Sequence, residues 1–132
     1  MKWKELGAKL VEKAGQDEFV VDRLIHDPET PPEILGFHLE QAAEKLLKAA
    51  LSFSQIGFPQ THQLVVLLDL LRDHRIQPPK EFEQLRILAP YAVQLRYDFI
   101  EEGALLKKHP DFPSLLKLVK KLRKWVMALG KD

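Results

Sequence analysis

The stretch TPPEILGFHLEQAAEKLLKAALSF, residues 30–53, decides the fold class of this chain. Thr30 and Glu33 have the spacing of a capping box, in which each side chain satisfies a free amide at a helix start. The prolines between them are tolerated because those amides lack intrahelical acceptors. Apolar residues then recur every three or four positions, as along one face of a helix: Leu35, Leu39, Ala42, Ala43, Leu46, Ala49, Ala50 and Phe53. The stretch therefore predicts one long amphipathic helix.

The segments on either side of this stretch carry the same helical period. Upstream, apolar residues recur at helical spacing, and we expect one long helix that Gly15 weakens in its middle and that ends before Pro28. Downstream, Thr61 is placed to cap a third helix. Residues 64–71 of that helix are apolar nearly all round, which is typical of a core helix or of a subunit interface.

The C-terminal half completes the helical pattern. Residues 82–88 form a short segment with three inward-facing apolar residues, and residues 98–112 are expected to be a loop. Asp111 or Ser114 opens a last amphipathic helix, and Gly130 ends it. No alternating run typical of a strand occurs. The sequence therefore predicts an all-α protein: an up-and-down four-helix bundle with one additional short helix, in a single domain spanning residues 1–132.

Composition excludes several classes of protein. The chain has 132 residues, of which 45% are hydrophobic and 30% charged, as in an ordinary globular domain. It has no cysteine, which excludes a disulfide scaffold, a thiolate zinc site and a cysteine nucleophile. No apolar run approaches the roughly 18 residues that span a bilayer, and no secretory signal opens the sequence. We expect a cytoplasmic protein that does not contact a membrane.

Motif searches predict no metal site and no bound cofactor. The five histidines have no paired spacing of the kind that zinc ligands show on one helix. The six glycines are too scattered for a dinucleotide fingerprint or a P-loop. No nucleophile elbow of the Gly-x-Ser-x-Gly type is present.

Charge is distributed unevenly along the chain. Residues 107–132 carry 8 basic against 2 acidic residues, whereas residues 1–106 carry 12 against 17. A basic terminal helix is either an electrostatic footprint for a phosphate-bearing or acidic partner, or an ordinary solvated face. The cations concerned lie off the apolar face of the last helix: Lys117, Lys120, Lys121, Arg123 and Lys124.

A polar stripe runs along the second helix. At about 100° per residue, the stripe occupies an arc of roughly 80° beside the apolar face. It comprises His38, Gln41, Lys45, Lys48 and Ser52. Two interpretations stay open: these groups grip a phosphate or nucleobase, or Lys48 simply pairs with the acidic residue four positions before it.

Residues 37–49, FHLEQAAEKLLKA, resemble the second helix of the HEPN (higher eukaryotes and prokaryotes nucleotide-binding) family. The family continues with a Gly/Pro turn and Thr-His-x-Leu, which GFPQTHQL matches at residues 57–64. Residues 96–98, Arg-Tyr-Asp, stand where the family tends to have Arg-Tyr-Pro. Trp3 and residues 14–17 also fit the family's first helix. The resemblance covers most of the chain and implies the same helical fold.

The resemblance also implies a function. Small stand-alone members of the family often occur beside a minimal nucleotidyltransferase, as a toxin–antitoxin-like pair. The resemblance implies nucleotide or polynucleotide binding and, as is usual in the family, a homodimer. The binding residues that we predict from it are His38, Gln41, Lys45, Lys48, His62, Arg96 and Tyr97. Structural alternatives exist for three of them: Arg96 buried against Glu44, Tyr97 in the core, and His62 bonded to nearby backbone.

Another branch of the family consists of metal-independent ribonuclease toxins with an Arg-x(4–6)-His pair. That pair would combine proton transfer with stabilisation of the phosphate charge. No arginine of this chain has a histidine at the required distance, and Glu101, Glu102 and Gly103 occupy those positions after Arg96. We therefore predict no catalytic residue. A divergent ribonuclease and a pure protein-interaction module remain the alternatives.

Overall fold

A computed structural model describes residues 2–92 and 109–131 of the chain. Within these ranges it contains four α-helices and one 3₁₀ helix, and no strand. The helices are α1 (Lys2–Leu24), α2 (Pro32–Phe53), α3 (Leu64–Asp73), the 3₁₀ helix (Lys80–Tyr91) and α4 (Phe112–Leu129). The prediction of an all-α fold is confirmed. Most of the predicted loop at residues 98–112 lies outside the described residues.

Helix α2 is the central element of the fold. It contacts each of the other four helices. Its alanines 42, 43, 49 and 50 are fully buried and form part of one cluster of buried side chains to which all five helices contribute. Because alanine adds little bulk, the neighbouring helices approach the α2 backbone closely. The stretch that decided the fold class in the sequence is therefore also the stretch that every other helix packs against.

Two helix starts differ from the predictions. The capping box is wrong: Pro31, which has no side chain able to cap, precedes α2, and the Thr30 hydroxyl instead donates to the Leu24 carbonyl at 3.0 Å. The Thr61 cap is also wrong, because Gln63 is the N-cap of α3 and Thr61 Oγ1 accepts from the Gln63 amide at 3.1 Å. Each hydroxyl stabilises the connection before the helix rather than the helix itself.

The predicted limits of the last helix are confirmed. Asp111 is the N-cap of α4, accepting from the Ser114 amide at 3.1 Å and from the Ser114 hydroxyl at 2.8 Å. These two hydrogen bonds lower the pKa of the Asp111 carboxyl. Gly130 is the C-cap.

Three glycines allow aromatic rings to approach the backbone. A Cβ at Gly36 of α2 would collide with the ring of Tyr91, at the end of the 3₁₀ helix. The ring of Phe53 is held between Gly7 and Gly130, and a Cβ at Gly130 would lie 2.8 Å from it. These contacts fix both ends of α2 against its neighbours.

The 3₁₀ helix buries every third residue. Its inward residues are Phe82, Leu85, Leu88 and Tyr91, as expected for three residues per turn. The predicted inward-facing short segment is confirmed. The outward positions, among them Arg86 and Ala89, are exposed.

The basic helix α4 is partly neutralised by α1. Arg123 binds the buried Glu18 through Nε at 2.9 Å and Nη2 at 2.7 Å, and Nη2 donates to the Val11 carbonyl at 3.1 Å. Lys120 binds Asp22 at 2.9 Å. Gly15 provides the space for this guanidinium, because a Cβ there would lie 3.0 Å from Nη2. The interpretation of these charges as a merely solvated face is therefore wrong for Lys120 and Arg123.

Candidate functional site

The polar edge, as we call it here, consists of His38, Gln41, Lys45 and Lys48 on α2 together with His62. The four α2 side chains are half-buried on one side of the helix, and His62 is exposed in the connection between α2 and α3. The remaining two predicted site residues, Arg96 and Tyr97, lie outside the described residues. Each polar-edge side chain is hydrogen-bonded to a carboxyl group that the sequence did not single out as part of a site.

Asp17 of α1 holds one end of the polar edge. Its Oδ1 lies 2.8 Å from His38 Nδ1, and its Oδ2 accepts from Lys45 Nζ at 2.6 Å. The Asp17 carboxylate is buried between the two helices, so both bonds form in a partly desolvated place where they are stronger than at the surface. One carboxylate thereby fixes two side chains that are two turns apart on α2.

Glu44 holds the other end. Its Oε2 accepts from Lys48 Nζ at 2.7 Å, and its Oε1 lies 3.0 Å from His62 Nδ1. Lys48 Nζ also lies 5.8 Å from the centre of the Phe58 ring. The Glu44–Lys48 ion pair, one of the two interpretations of the stripe, is thus present. It includes a third group, His62, which links α2 to the start of α3.

A second glutamate is fully buried beside Glu44. Glu40 Oε1 accepts from Gln41 Nε2 at 2.9 Å, while no group in the described part of the chain pairs with its Oε2. Burial, and secondly the negative charge of Glu44, raises the pKa of Glu40 from 4.5 to about 8. Glu40 is therefore mostly protonated at neutral pH.

These pairings determine the charge of the polar edge. With Glu40 protonated, the two lysines face two carboxylates, Asp17 and Glu44, and the formal charge of the group is zero when both imidazoles are neutral. Each ammonium has three donors, of which the bond to its carboxylate uses one. The polar edge is a set of donors held in fixed positions rather than an unpaired cationic stripe.

His62 also lines a cavity of about 540 Å³. The cavity lies between the start of α3 and the outward face of the 3₁₀ helix. Its lining residues are His62, Gln63, Leu64, Val65, Arg86, Ala89 and Ala92. His62 therefore belongs both to the polar edge and to a concave surface beside it.

Several site residues were missed from the sequence, and for most of them a signal existed. Asp17 lies three residues after Ala14 and four before Val21, so the helical period places it on the buried face of α1. Glu40 likewise lies on the core side of α2, and Glu44 follows one turn later. Arg86 had no such signal, because the fold alone brings it beside His62.

Two structural absences hold for residues 2–92 and 109–131. No helix there is long and apolar enough to cross a membrane. No group of three or more metal-ligating side chains is arranged there to hold a metal ion.

Comparison with known proteins agrees with the resemblance seen in the sequence. The family model of the HEPN domain matches residues 10–129. No curated protein and no solved structure was found to match the chain. The match covers all four α-helices and the 3₁₀ helix, apart from the first turns of α1.

Proposed function

The chain belongs to the HEPN-domain family, and on this premise we propose that it is a non-catalytic nucleotide- or polynucleotide-binding protein. Membership of the family suggests a function related to nucleotides or RNA. The proposed binding surface is the polar edge, and Arg96 and Tyr97 complete the proposed set of binding residues.

The position of His62 is the observation that carries this proposal. Its Nδ1 lies 3.0 Å from Glu44, the carboxylate that also holds Lys48, and its ring lines the 540 Å³ cavity. A nucleotide combines a phosphate, which needs donors, with a ring system, which needs an apolar concave surface. The polar edge supplies the donors and the cavity supplies the concave surface, side by side.

The roles of the individual residues follow from their donors. In the proposed complex, Lys45 and Lys48 use their remaining donors on phosphate oxygens, and the amide of Gln41 bonds a base or ribose. The carboxylates Asp17 and Glu44 keep these donors in place before the ligand arrives, which lowers the entropy lost on binding.

A thermal-shift titration with AMP, ATP and a short RNA tests the proposal. We expect millimolar ligand to raise the melting temperature, because a ligand that binds only the folded state stabilises it. The shift with ATP and with RNA should shrink in Lys45→Gln/Lys48→Gln and stay unchanged in the control Lys13→Gln, an exposed lysine of α1. RNA recovered intact is part of the expected result. No shift with any of the three ligands would overturn the proposal.

We also propose that the protein is a cytoplasmic homodimer that partners a nucleotidyltransferase in a toxin–antitoxin-like pair. HEPN domains often form dimers or bind RNA. The apolar α3 helix, which the sequence left open as a core helix or a subunit interface, packs within the chain, since its leucines 64, 67, 68 and 71 are part of the core. Helix α1 nevertheless exposes Trp3 by 37%, Leu6 by 43% and Phe19 by 56%.

Light scattering measures the first part of this second proposal directly. We expect twice the mass of one chain, and a single-chain mass at micromolar concentration would contradict the homodimer. Co-expression with the product of a neighbouring nucleotidyltransferase gene should yield a stoichiometric complex. If the two proteins elute separately, the partnership is excluded.

A further inference from the structure

We propose that the cavity between α3 and the 3₁₀ helix binds a nucleoside 5′-monophosphate unit, with Arg86 holding the phosphate. The inference rests on the proposed function and makes it more specific. It assigns the 5′-phosphate to Arg86, a residue outside the predicted site, and places the rest of the nucleotide on the apolar lining of the cavity. Lys45 and Lys48 then bind the further phosphates of ATP or of a polynucleotide.

The size and lining of the cavity suit such a ligand. Its volume of about 540 Å³ lies within the roughly 300–1,000 Å³ typical of small-molecule pockets. Val65, Ala89 and Ala92 provide apolar walls, and the small alanines leave room for a flat ring. Among the described lining residues, Gln63 is the one with a neutral polar side chain, so these walls offer few polar partners besides the cations.

The charged lining residues select an anion. Arg86 and His62 line the cavity, and no carboxylate does so among the described residues. A guanidinium presents planar paired donors that match phosphate oxygens. The first two residues of α3, Leu64 and Val65, also line the cavity, and their amides have no intrahelical acceptor. A phosphate in this position would accept hydrogen bonds from Arg86 on the 3₁₀ helix and from the amides at the start of α3.

Arg86 is more available to a ligand than the lysines of the polar edge. Within the described part of the chain, its ion pair is a long one, 4.0 Å from Nη1 to Glu83. Glu83 itself is bound by Arg72, which neutralises it independently of Arg86. Lys45 and Lys48 lie 2.6 and 2.7 Å from their carboxylates. A phosphate that binds Arg86 therefore displaces a weaker contact than one that binds either lysine.

The lining also predicts the ligand preference. Because the walls beside the cations are mostly apolar, the phosphate should carry most of the affinity and base identity little of it. AMP and UMP should bind with similar affinity, and adenosine, which lacks the phosphate, should bind at least about tenfold more weakly. Inorganic phosphate alone should also bind more weakly than AMP, because it leaves the apolar walls unfilled.

Calorimetric titration of the full chain with AMP, in three variants, tests the inference. Arg86→Ala should weaken AMP binding at least about tenfold, since it removes charge-assisted hydrogen bonds. Ala89→Phe should block binding by filling the cavity from an exposed position of the 3₁₀ helix. Arg75→Ala is the matched control: Arg75 is exposed beyond the opposite end of α3, about 15 Å from the cavity. Its AMP affinity should equal that of the wild type.

The 5′-monophosphate unit is either a free nucleotide or the end of an RNA strand. A short RNA with a 5′-phosphate, compared with the same RNA with a 5′-hydroxyl, distinguishes these two sources. A preference for the phosphorylated strand that Arg86→Ala abolishes would support the cavity as a site for a strand end. Equal AMP affinity of Arg86→Ala, Arg75→Ala and wild type would overturn the inference and leave the proposed function standing. RNA binding without AMP binding would likewise overturn the inference and leave the proposed function standing. If neither AMP nor RNA binds the wild type, the proposed function fails as well.

Discussion

Two neighbouring residues of α1 direct their carboxylates into different regions of the molecule. Glu18 enters the junction of α1 with α4, where Arg123 grips it through two nitrogens and Lys120 lies 3.5 Å away. Asp17 enters the polar edge, where it meets His38 and Lys45. Both carboxylates are buried and both attract cations from another helix.

The two regions differ in how completely their charges are matched. At the α1–α4 junction, the Glu18 carboxylate binds the Arg123 guanidinium, which also donates to the Val11 carbonyl. This ion pair links the two helices. At the polar edge, Glu40 and Glu44 lie beside each other, Glu40 has an oxygen without a described partner, and His62 is mostly exposed. Matched buried charge holds helices together, whereas incompletely matched charge is sensitive to pH and to ligands.

The largest effect is expected at the structural junction. Arg123→Ala leaves Glu18 buried with the longer contact to Lys120 as its remaining ion pair among the described residues, and should lower the free energy of unfolding by about 3 kcal/mol. Urea denaturation followed by circular dichroism measures this loss. The neighbouring Lys124→Ala, exposed on the same helix, should stay within about 0.5 kcal/mol of the wild type. A loss below about 1 kcal/mol for Arg123→Ala would show that the junction is not structural.

The next effect concerns pH at the polar edge. The pKa of Glu40 is about 8 in the folded chain and near 4.5 when unfolded, so the folded state binds the proton more tightly. This contribution to stability is therefore present at low pH and is lost as pH rises from about 4.5 to about 8. Glu40→Gln cannot titrate and should lose about 2 kcal/mol less than the wild type between pH 6 and pH 8.

Denaturation at several pH values measures that difference in slope. Carbon-13 NMR of the Glu40 carboxyl gives a second measurement that does not depend on the stability of the variant. Parallel pH profiles for the wild type and Glu40→Gln, or a carboxyl that titrates near pH 4.5, would contradict the assignment of a buried neutral acid.

A smaller effect, on the affinity for RNA, distinguishes Asp17 from the adjacent Glu18. Asp17→Asn removes one negative charge but keeps a side-chain oxygen that can accept from Lys45, so the lysine stays in place. The affinity for RNA should therefore rise about two- to fivefold, the electrostatic effect of one nearby charge. Glu18→Gln, one residue away, should leave the affinity unchanged while lowering stability. Fluorescence anisotropy with a labelled RNA measures both variants. Equal affinities for the two would mean that the polar edge does not contact the ligand.

The smallest effect is expected on the exposed side of α4. Lys117→Glu/Lys124→Glu should change stability by less than about 0.5 kcal/mol, since both lysines are exposed. The same reversal tests the alternative of an interaction module. Loss of a co-purifying acidic partner in this double variant, in a protein that binds neither AMP nor RNA, would favour that alternative over nucleotide binding.

Local periodicity was sufficient to predict the fold. The apolar spacing along residues 35–53 predicted α2, and the inward residues of 82–88 predicted the 3₁₀ helix, which continues through Pro90 to Tyr91. The caps were less predictable, because the Thr30 hydroxyl can bond either the α2 amides or the Leu24 carbonyl. Tertiary packing favours the Leu24 carbonyl. Gly15 was interpreted as a weak point, whereas it provides the space for Arg123.

The candidate site was only partly visible in the sequence. The stripe from His38 to Lys48 could be projected from helical geometry, and Glu44–Lys48 could be expected from their spacing. The bond of Asp17 to Lys45, 28 residues apart, depends on how α1 packs against α2. The meeting of His62 and Arg86 at one cavity depends on the path of the chain through α3, which no spacing rule encodes.

An NMR titration of the ¹⁵N-labelled chain with AMP tests nucleotide binding at the cavity between α3 and the 3₁₀ helix most directly. We predict saturable shifts of the amides of residues 62–65, 86–89, 91 and 92, with the amides of Glu18 and Arg123 unaffected. Shifts centred on the α1–α4 junction, or no shift at millimolar AMP, would contradict this assignment.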